Sequence, residues 1–316
     1  MPRHRHALPQ LDGTVFLADG GLETCLMFME NLDLPCFASF PLVADEAGRG
    51  HLERYFEPYL RTAGDHGAGF VLDTPTWRAN ADWGAKLGHS AAALAEANRE
   101  AVAWAVRLRD AFATERTPVV VSGLIGPRGD GYRADARMDA AEAEHYHRAQ
   151  VEVFGDTEAD MVSALTLTYA EEAIGVTRAA QARRMPVVIS FTVETDGKLP
   201  SGETLPQAVE QVEQATDRGP AYYMVNCAHP THFAHVLEPG APWLDRVRGI
   251  RANASTRSHA ELDAATELDA GDPADFGRHY RALRGRMPRL SVLGGCCGTD
   301  HRHIVAVCEA LSGMDG

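Results

Sequence analysis

Three cysteines are spaced so that they could act together. Cys227 ends a short run rich in β-formers, Tyr222 to Asn226, and Cys296 and Cys297 end another inside Gly294-Gly295-Cys296-Cys297-Gly298. Adjacent residues of a regular strand point to opposite faces, so a Cys-Cys pair that converges on one point needs a distorted strand end. The flanking glycines permit it, because they tolerate positive φ and close backbone approach. Three converging thiolates suit Zn²⁺, and three protein ligands with one open position is the catalytic arrangement of that metal. Such a site carries a net charge of −1 and polarises water poorly. It can still bind and deprotonate an incoming thiol while leaving its sulfur nucleophilic, which points to alkyl transfer to a thiol. Residue type and spacing alone leave two other readings open: small buried filler, or a vicinal disulfide between Cys296 and Cys297. Of the other cysteines, Cys308 lies on an apolar helical stripe and is expected in the core, and Cys25 and Cys36 receive no role.

The elements that must position these thiols follow from periodicity. Eight short runs have the composition of strands: Val15 to Asp19, Gly69 to Asp73, Pro118 to Ser122, Asp160 to Leu165, Pro186 to Phe191, Tyr222 to Asn226, Val247 to Arg251 and Leu290 to Leu293. Helical spacing lies between them. Leu205, Ala208, Val209, Val212 and Ala215 form one stripe, Ile304, Val307, Cys308 and Leu311 another behind a Thr299 or Asp300 cap, and Ser90 to Ala113 is long and Ala-rich. Eight alternations predict a single-domain (β/α)₈ TIM barrel over residues 13–316, preceded by a short tail, 1–12; a doubly wound sheet is the alternative. In such a barrel, chemistry sits at the C-terminal strand ends. Asp19-Gly20-Gly21, Thr74-Pro75-Thr76, Gly123 to Gly126, Asn226-Cys227 and Gly294 to Gly298 all fall there.

Composition narrows the class. The 316 residues are 45% apolar and 23% charged, with 30 basic against 44 acidic side chains and a net charge of −14. No Lys/Arg run offsets that charge, so nucleic acid is not an expected partner. No apolar stretch reaches the roughly 18 residues of a membrane span, and the N-terminus lacks a signal-peptide core, so a cytoplasmic protein with reduced thiols is expected. Nothing in the sequence speaks to oligomeric state. None of the 29 glycines follows a strand with dinucleotide or P-loop spacing.

Asp19-Gly20-Gly21, Asn226-Cys227 followed by Pro230, and Gly294-Gly295-Cys296-Cys297-Gly298-Thr299 resemble the motifs of the homocysteine S-methyltransferase family. The resemblance extends over Thr74-Pro75-Thr76, Ile125-Gly126-Pro127, Ile189 to Thr192 and Ala252-Asn253-Ala254. It implies a (β/α)₈ barrel with Cys227, Cys296 and Cys297 as Zn²⁺ ligands and no other catalytic residue. A small-molecule thiol, homocysteine, would take a methyl group from a sulfonium or quaternary ammonium donor to give methionine. Asp19, Gly20, Gly21, Glu23, Thr74, Thr166 and Asn253 are the expected substrate-binding positions. The length leaves no room for separate folate and cobalamin modules, so methylcobalamin is not an expected donor.

One position departs from the family pattern. Where relatives carry a glutamate that holds the amino group of homocysteine, this chain has Leu165, followed by Thr166. Leucine cannot compensate a buried ammonium. Either Glu23, Asp73 or Glu194 substitutes, or the acceptor is a different thiol. Trp77 and Trp83, after the second strand, are candidates for an aromatic cage around a cationic donor, or simply for loop packing. Arg128-Gly129-Asp130 reads as a turn, and His301 and His303 as solvated residues opening the last helix.

Overall fold

The structure, a computed structural model, describes residues 1–312. Strands form where the β-branched and aromatic runs lie: β1 Phe16–Leu17, β2 Gly69–Asp73, β3 Val119–Ile125, β4 Met161–Leu167, β5 Val187–Phe191, β6 Tyr222–Asn226, β7 Val247–Ala252 and β8 Val292–Gly295. All pair in parallel with their neighbours, and β1 pairs with β8, closing the sheet into a barrel in chain order. The chain is thus a (β/α)₈ barrel, and the doubly wound alternative falls. Strand β3 runs three residues past its expected end at Ser122. Gly123 lies in this extension, where a Cβ would come within 2.6 Å of the Phe154 ring.

Alternation along the strands sorts the core into two shells. Val71, Val120, Met161, Leu165, Val188, Tyr222, Met224 and Val292 fill the barrel interior. Their sequence neighbours, such as Phe70, Leu72, Val162, Ala164, Tyr223 and Val225, face the surrounding helices. The Ala-rich segment forms the helix Ala91–Phe112, capped by Ser90, and Leu205–Ala215 carries a capping box from Thr204 to Gln207. Asp300 rather than Thr299 caps His301–Leu311. His303 is not solvated. It is buried, closes that capping box, and its Nε2 donates to the Ala270 carbonyl at 2.8 Å.

The short N-terminal tail, residues 1–12, packs against the barrel. Leu8 and Gln10 are buried at the N-terminal end of the barrel, where Gln10 Nε2 lies 3.4 Å from Tyr222 Oη and its carbonyl accepts from Ser291 Oγ at 2.8 Å. Arg5 donates to the carbonyls of Gly155, Thr157 and Ala159, and the amides of Arg3 and His4 donate to Asp160. The segment packs across the N-terminal end of the barrel, opposite the mouth that carries the cysteines.

Candidate metal centre

At that mouth the sulfurs of Cys227, Cys296 and Cys297 all lie within 4.8 Å of one another. Cys227 follows β6 with φ of 52°, a left-handed conformation that turns its side chain inward from the strand end. Thr166, at φ of 64° inside β4, breaks the register between β4 and β5 beside it. Cys296 and Cys297 follow β8, and the chain reverses at Gly298, whose φ of +80° and closeness to the Asp269 carbonyl (2.6 Å from a Cβ) admit only glycine. Distortion was expected from the glycine block alone. It is shared between Gly298 and the two strand ends facing it. Gly21 has a different use, since a Cβ there would lie 2.6 Å from the Cys296 carbonyl, so the first loop packs directly on the thiol loop.

Cys227 and Cys296 stand in disulfide contact, with Cα atoms 5.3 Å apart, and Cys297 is free. The pairing is therefore across strand ends and not vicinal. Burial pushes the Cys297 thiol up to about 11, so on its own it is protonated at neutral pH. A cluster of three sulfurs, one buried and two half-buried, with no cationic side chain paired to it among the described residues, fits a divalent soft metal, which supplies positive charge and deprotonates its ligands. Cys308 and Cys25 are buried, Cys25 Sγ donating to the Thr299 carbonyl of the thiol loop at 3.4 Å, and Cys36 is exposed.

Around the thiols, hydrogen bonds tie neighbouring strands together. Asn226 Oδ1 accepts from the Thr166 amide (2.9 Å) and from Ser190 Oγ (2.6 Å), and Asn226 Nδ2 donates to Thr166 Oγ1 (2.7 Å). Thr166 Oγ1 in turn lies 3.8 Å from Cys227 Sγ. Asn253 Nδ2 donates to the Cys227 carbonyl at 3.1 Å, and its Oδ1 is buried without a partner. Two residues that sequence reasoning missed complete the surround. Tyr132 Oη donates to Cys297 Sγ at 3.4 Å, and its ring stacks on His259 at 4.0 Å. His259 Nε2 donates to the Cys227 carbonyl at 2.8 Å, while Nδ1 faces Glu194 Oε1 at 3.1 Å. Burial holds the Tyr132 phenol well above its ordinary range, so it remains a neutral donor.

The expected substrate-binding residues stand at the C-terminal strand ends, each with its own contacts within the protein. Asp19 and Asp73 both pair with the Arg251 guanidinium, which is 5% exposed inside the barrel, and Tyr55 Oη also donates to Asp19. Asp19 is thus held in place by Arg251 and Tyr55. Thr74 Oγ1 accepts from the Leu124 amide and shares a hydrogen bond with Thr76, so it braces β2 against β3. Gly20 packs against Tyr59 and the Thr299 carbonyl. Leu165 faces the apolar interior, and its carbonyl accepts from Trp77 Nε1 at 3.2 Å. Glu23 stands at the mouth, accepting from Ser39 Oγ at 2.7 Å, with burial raising its pKa. Trp77 and Trp83 form no empty cage. The Arg78 guanidinium lies over both rings, 4.0 and 3.8 Å from their centroids, so the protein's own cation takes those faces.

Comparison with known proteins agrees with this geometry. A family model described as homocysteine S-methyltransferase matches residues 16–311. No curated protein matches the chain. Among solved structures, the homocysteine methyltransferase MmuM from Escherichia coli in its metallated form superposes with a TM-score of 0.70 at 20% identity, covering 94% of this chain and 96% of that one. Its oxidized form gives 0.69 at 21% identity over 93% and 94%. Those identities establish the shared fold, and the family match extends across nearly the whole barrel. The chain belongs to the homocysteine S-methyltransferase family.

Proposed function

We propose that this protein is a zinc-dependent thiol S-methyltransferase, with homocysteine as acceptor and a sulfonium or quaternary ammonium compound as donor. The observation that carries this reading is the convergence of three cysteine sulfurs at the C-terminal mouth of the barrel. Cys227, Cys296 and Cys297 would hold the metal, which when bound supplies the charge that ionises an incoming thiol at neutral pH. With the thiol proton lost to solvent, the acceptor sulfur attacks the methyl carbon as the bond to the donor's sulfur or nitrogen breaks, and the donor's onium centre leaves as a neutral thioether or amine. No general base is required, and the chain's part is positioning. Thr166, Asn226 and Asn253 fix Cys227, Tyr132 fixes Cys297, and the first loop at Gly21 fixes Cys296. Reduced thiols are a requirement, which suits a cytoplasmic protein.

Glu23 is the carboxylate we assign to the acceptor's ammonium. Of the three acids that could replace the missing glutamate, Asp73 is held by Arg251 and Glu194 faces His259, whereas Glu23 has only the Ser39 hydroxyl. Glu23→Gln should raise the KM for homocysteine about 10- to 100-fold with little change in kcat, since it removes one charged partner of a buried pair. Steady-state kinetics with homocysteine varied would show this, and an unchanged KM would remove Glu23 from the site. Leu165 favours a second reading, in which the same centre methylates a thiol without an amino group. Screening several thiols against S-methylmethionine, S-adenosylmethionine and betaine separates the two. Turnover of another thiol with homocysteine inert would select the second reading, and no methyl transfer to any thiol would defeat both.

Tyr132→Phe keeps the stack on His259 and deletes only the hydrogen bond to Cys297. Loss of such a partner to a metal ligand costs about 10- to 100-fold in metal affinity. Competition with a chromophoric chelator should show zinc affinity falling by that factor, and an unaltered affinity would leave Tyr132 with a packing role only.

A further inference from the structure

Arg78 is 7% exposed, and its guanidinium has no carboxylate within ion-pair distance among the described residues. Nη1 donates to the Gly129 carbonyl at 3.0 Å, and Nε is buried with no partner. Trp77 and Trp83 occupy its faces, so only its edge N–H groups can recognise anything else. It lies in the loop after β2, at the same C-terminal end of the barrel as the thiols and linked to them through the loop after β3 and Thr166. Two residues beyond Gly129, a Cβ on Gly131 would lie 3.1 Å from both Thr166 Cγ2 and the Trp77 ring, and Thr166 Oγ1 is 3.8 Å from Cys227 Sγ. Burial pulls the Arg78 pKa down to about 10, a fall that nearby Asp130 and Glu23 only partly offset. A buried charge without a counter-charge is costly, and the neighbouring acids do not close on it.

We propose that Arg78 is the carboxylate-binding residue of the mouth, taking the carboxylate of one of the two substrates through its free edge. A planar guanidinium held rigid by two indoles matches a carboxylate in geometry as well as charge. With Glu23 on the same side of the mouth, the pair presents opposite charges to opposite ends of an amino acid. The inference rests on the thiol-transfer reading above and adds the chemical class of the bound group.

Calorimetry on the zinc-loaded protein tests it with two matched probe pairs: 4-mercaptobutyrate against 4-mercaptobutanol for the acceptor, and betaine against choline for the donor. Wild type should prefer the carboxylate member of one pair by about 10- to 100-fold, the range for hydrogen bonds to charged groups. Arg78→Met should erase that preference while leaving the alcohol member's affinity and the zinc content unchanged. The pair affected identifies the substrate that carries the carboxylate. Arg78→Lys keeps the charge but not the fork, should fall between, and serves if the Met variant does not fold. A preference undiminished in either variant overturns the proposal. Failure of the wild type to bind either thiol would instead overturn the thiol-acceptor reading, and the betaine and choline arm would still decide on Arg78.

Discussion

Cys296→Ser should yield a folded barrel that purifies without zinc and transfers no methyl group above background. A serine hydroxyl ionises far less readily than a thiol and is a harder ligand, so it does not replace sulfur on Zn²⁺. Cys296 is also the sulfur in contact with Cys227, leaving Cys297 beside a single partner. Two thiols do not reproduce the three-ligand site, and activity should drop by at least about 10³-fold if the metal is required for thiol ionisation. The fold should survive, because the loop is held by bonds that do not use the sulfur. The Cys296 amide donates to the Ala252 carbonyl and its own carbonyl accepts from Thr299 Oγ1. Metal analysis of protein prepared under reducing conditions, with circular dichroism as the folding control, reads both halves of the expectation. A zinc-free but fully active variant would refute the metal's role.

Arg251→Met should have the largest effect on stability. Arg251 stands between Asp19 and Asp73 at the centre of the barrel, and all three side chains are at most 6% exposed. Methionine preserves much of the volume while leaving two buried carboxylates facing each other without a cation. Breaking a buried pair in this way costs about 3–5 kcal/mol. The deficit should depend on pH, with a definite sign. Burial pushes Asp73 up to about 6 even with Arg251 beside it, so protonation favours the folded state at this group. Removing the cation raises both carboxylates further. Their destabilising contribution is therefore absent at low pH and grows as pH rises through their folded-state values. Urea midpoints of variant and wild type at pH 5 and pH 8 should differ least at pH 5. A gap that widened toward acid would contradict the assignment of Arg251 as the counter-charge.

Much of this could be read before any coordinates, because strand ends and cysteines announce themselves. Eight runs of β-formers marked eight strands, and two of them, Gly69–Asp73 and Tyr222–Asn226, match to the residue. What escaped sequence reasoning was set by contacts between distant loops. Tyr132 and His259 come from the loops after β3 and β7 and meet only because the barrel closes, so no spacing links them. Arg251 did leave a signal. A guanidinium at the end of a buried strand must have a partner, and Asp19 and Asp73, at equivalent strand ends, were the available acids. The N-terminal residues looked like a tail because short polar segments carry no periodicity. Their burial depends on an open barrel end that only the assembled fold creates. The aromatic pair was seen but its occupant was not, since Arg78 lies next to Trp77 in sequence and could equally have pointed to solvent.

X-ray absorption at the zinc edge, with and without homocysteine, tests the central claim most directly, because it counts sulfur ligands without requiring a known methyl donor. The account predicts zinc coordinated by the sulfurs of Cys227, Cys296 and Cys297 in the resting protein, and one additional sulfur when the acceptor binds. Protein that holds no zinc after reduction and reconstitution, or zinc whose sulfur count is unchanged by every saturating thiol, would contradict it.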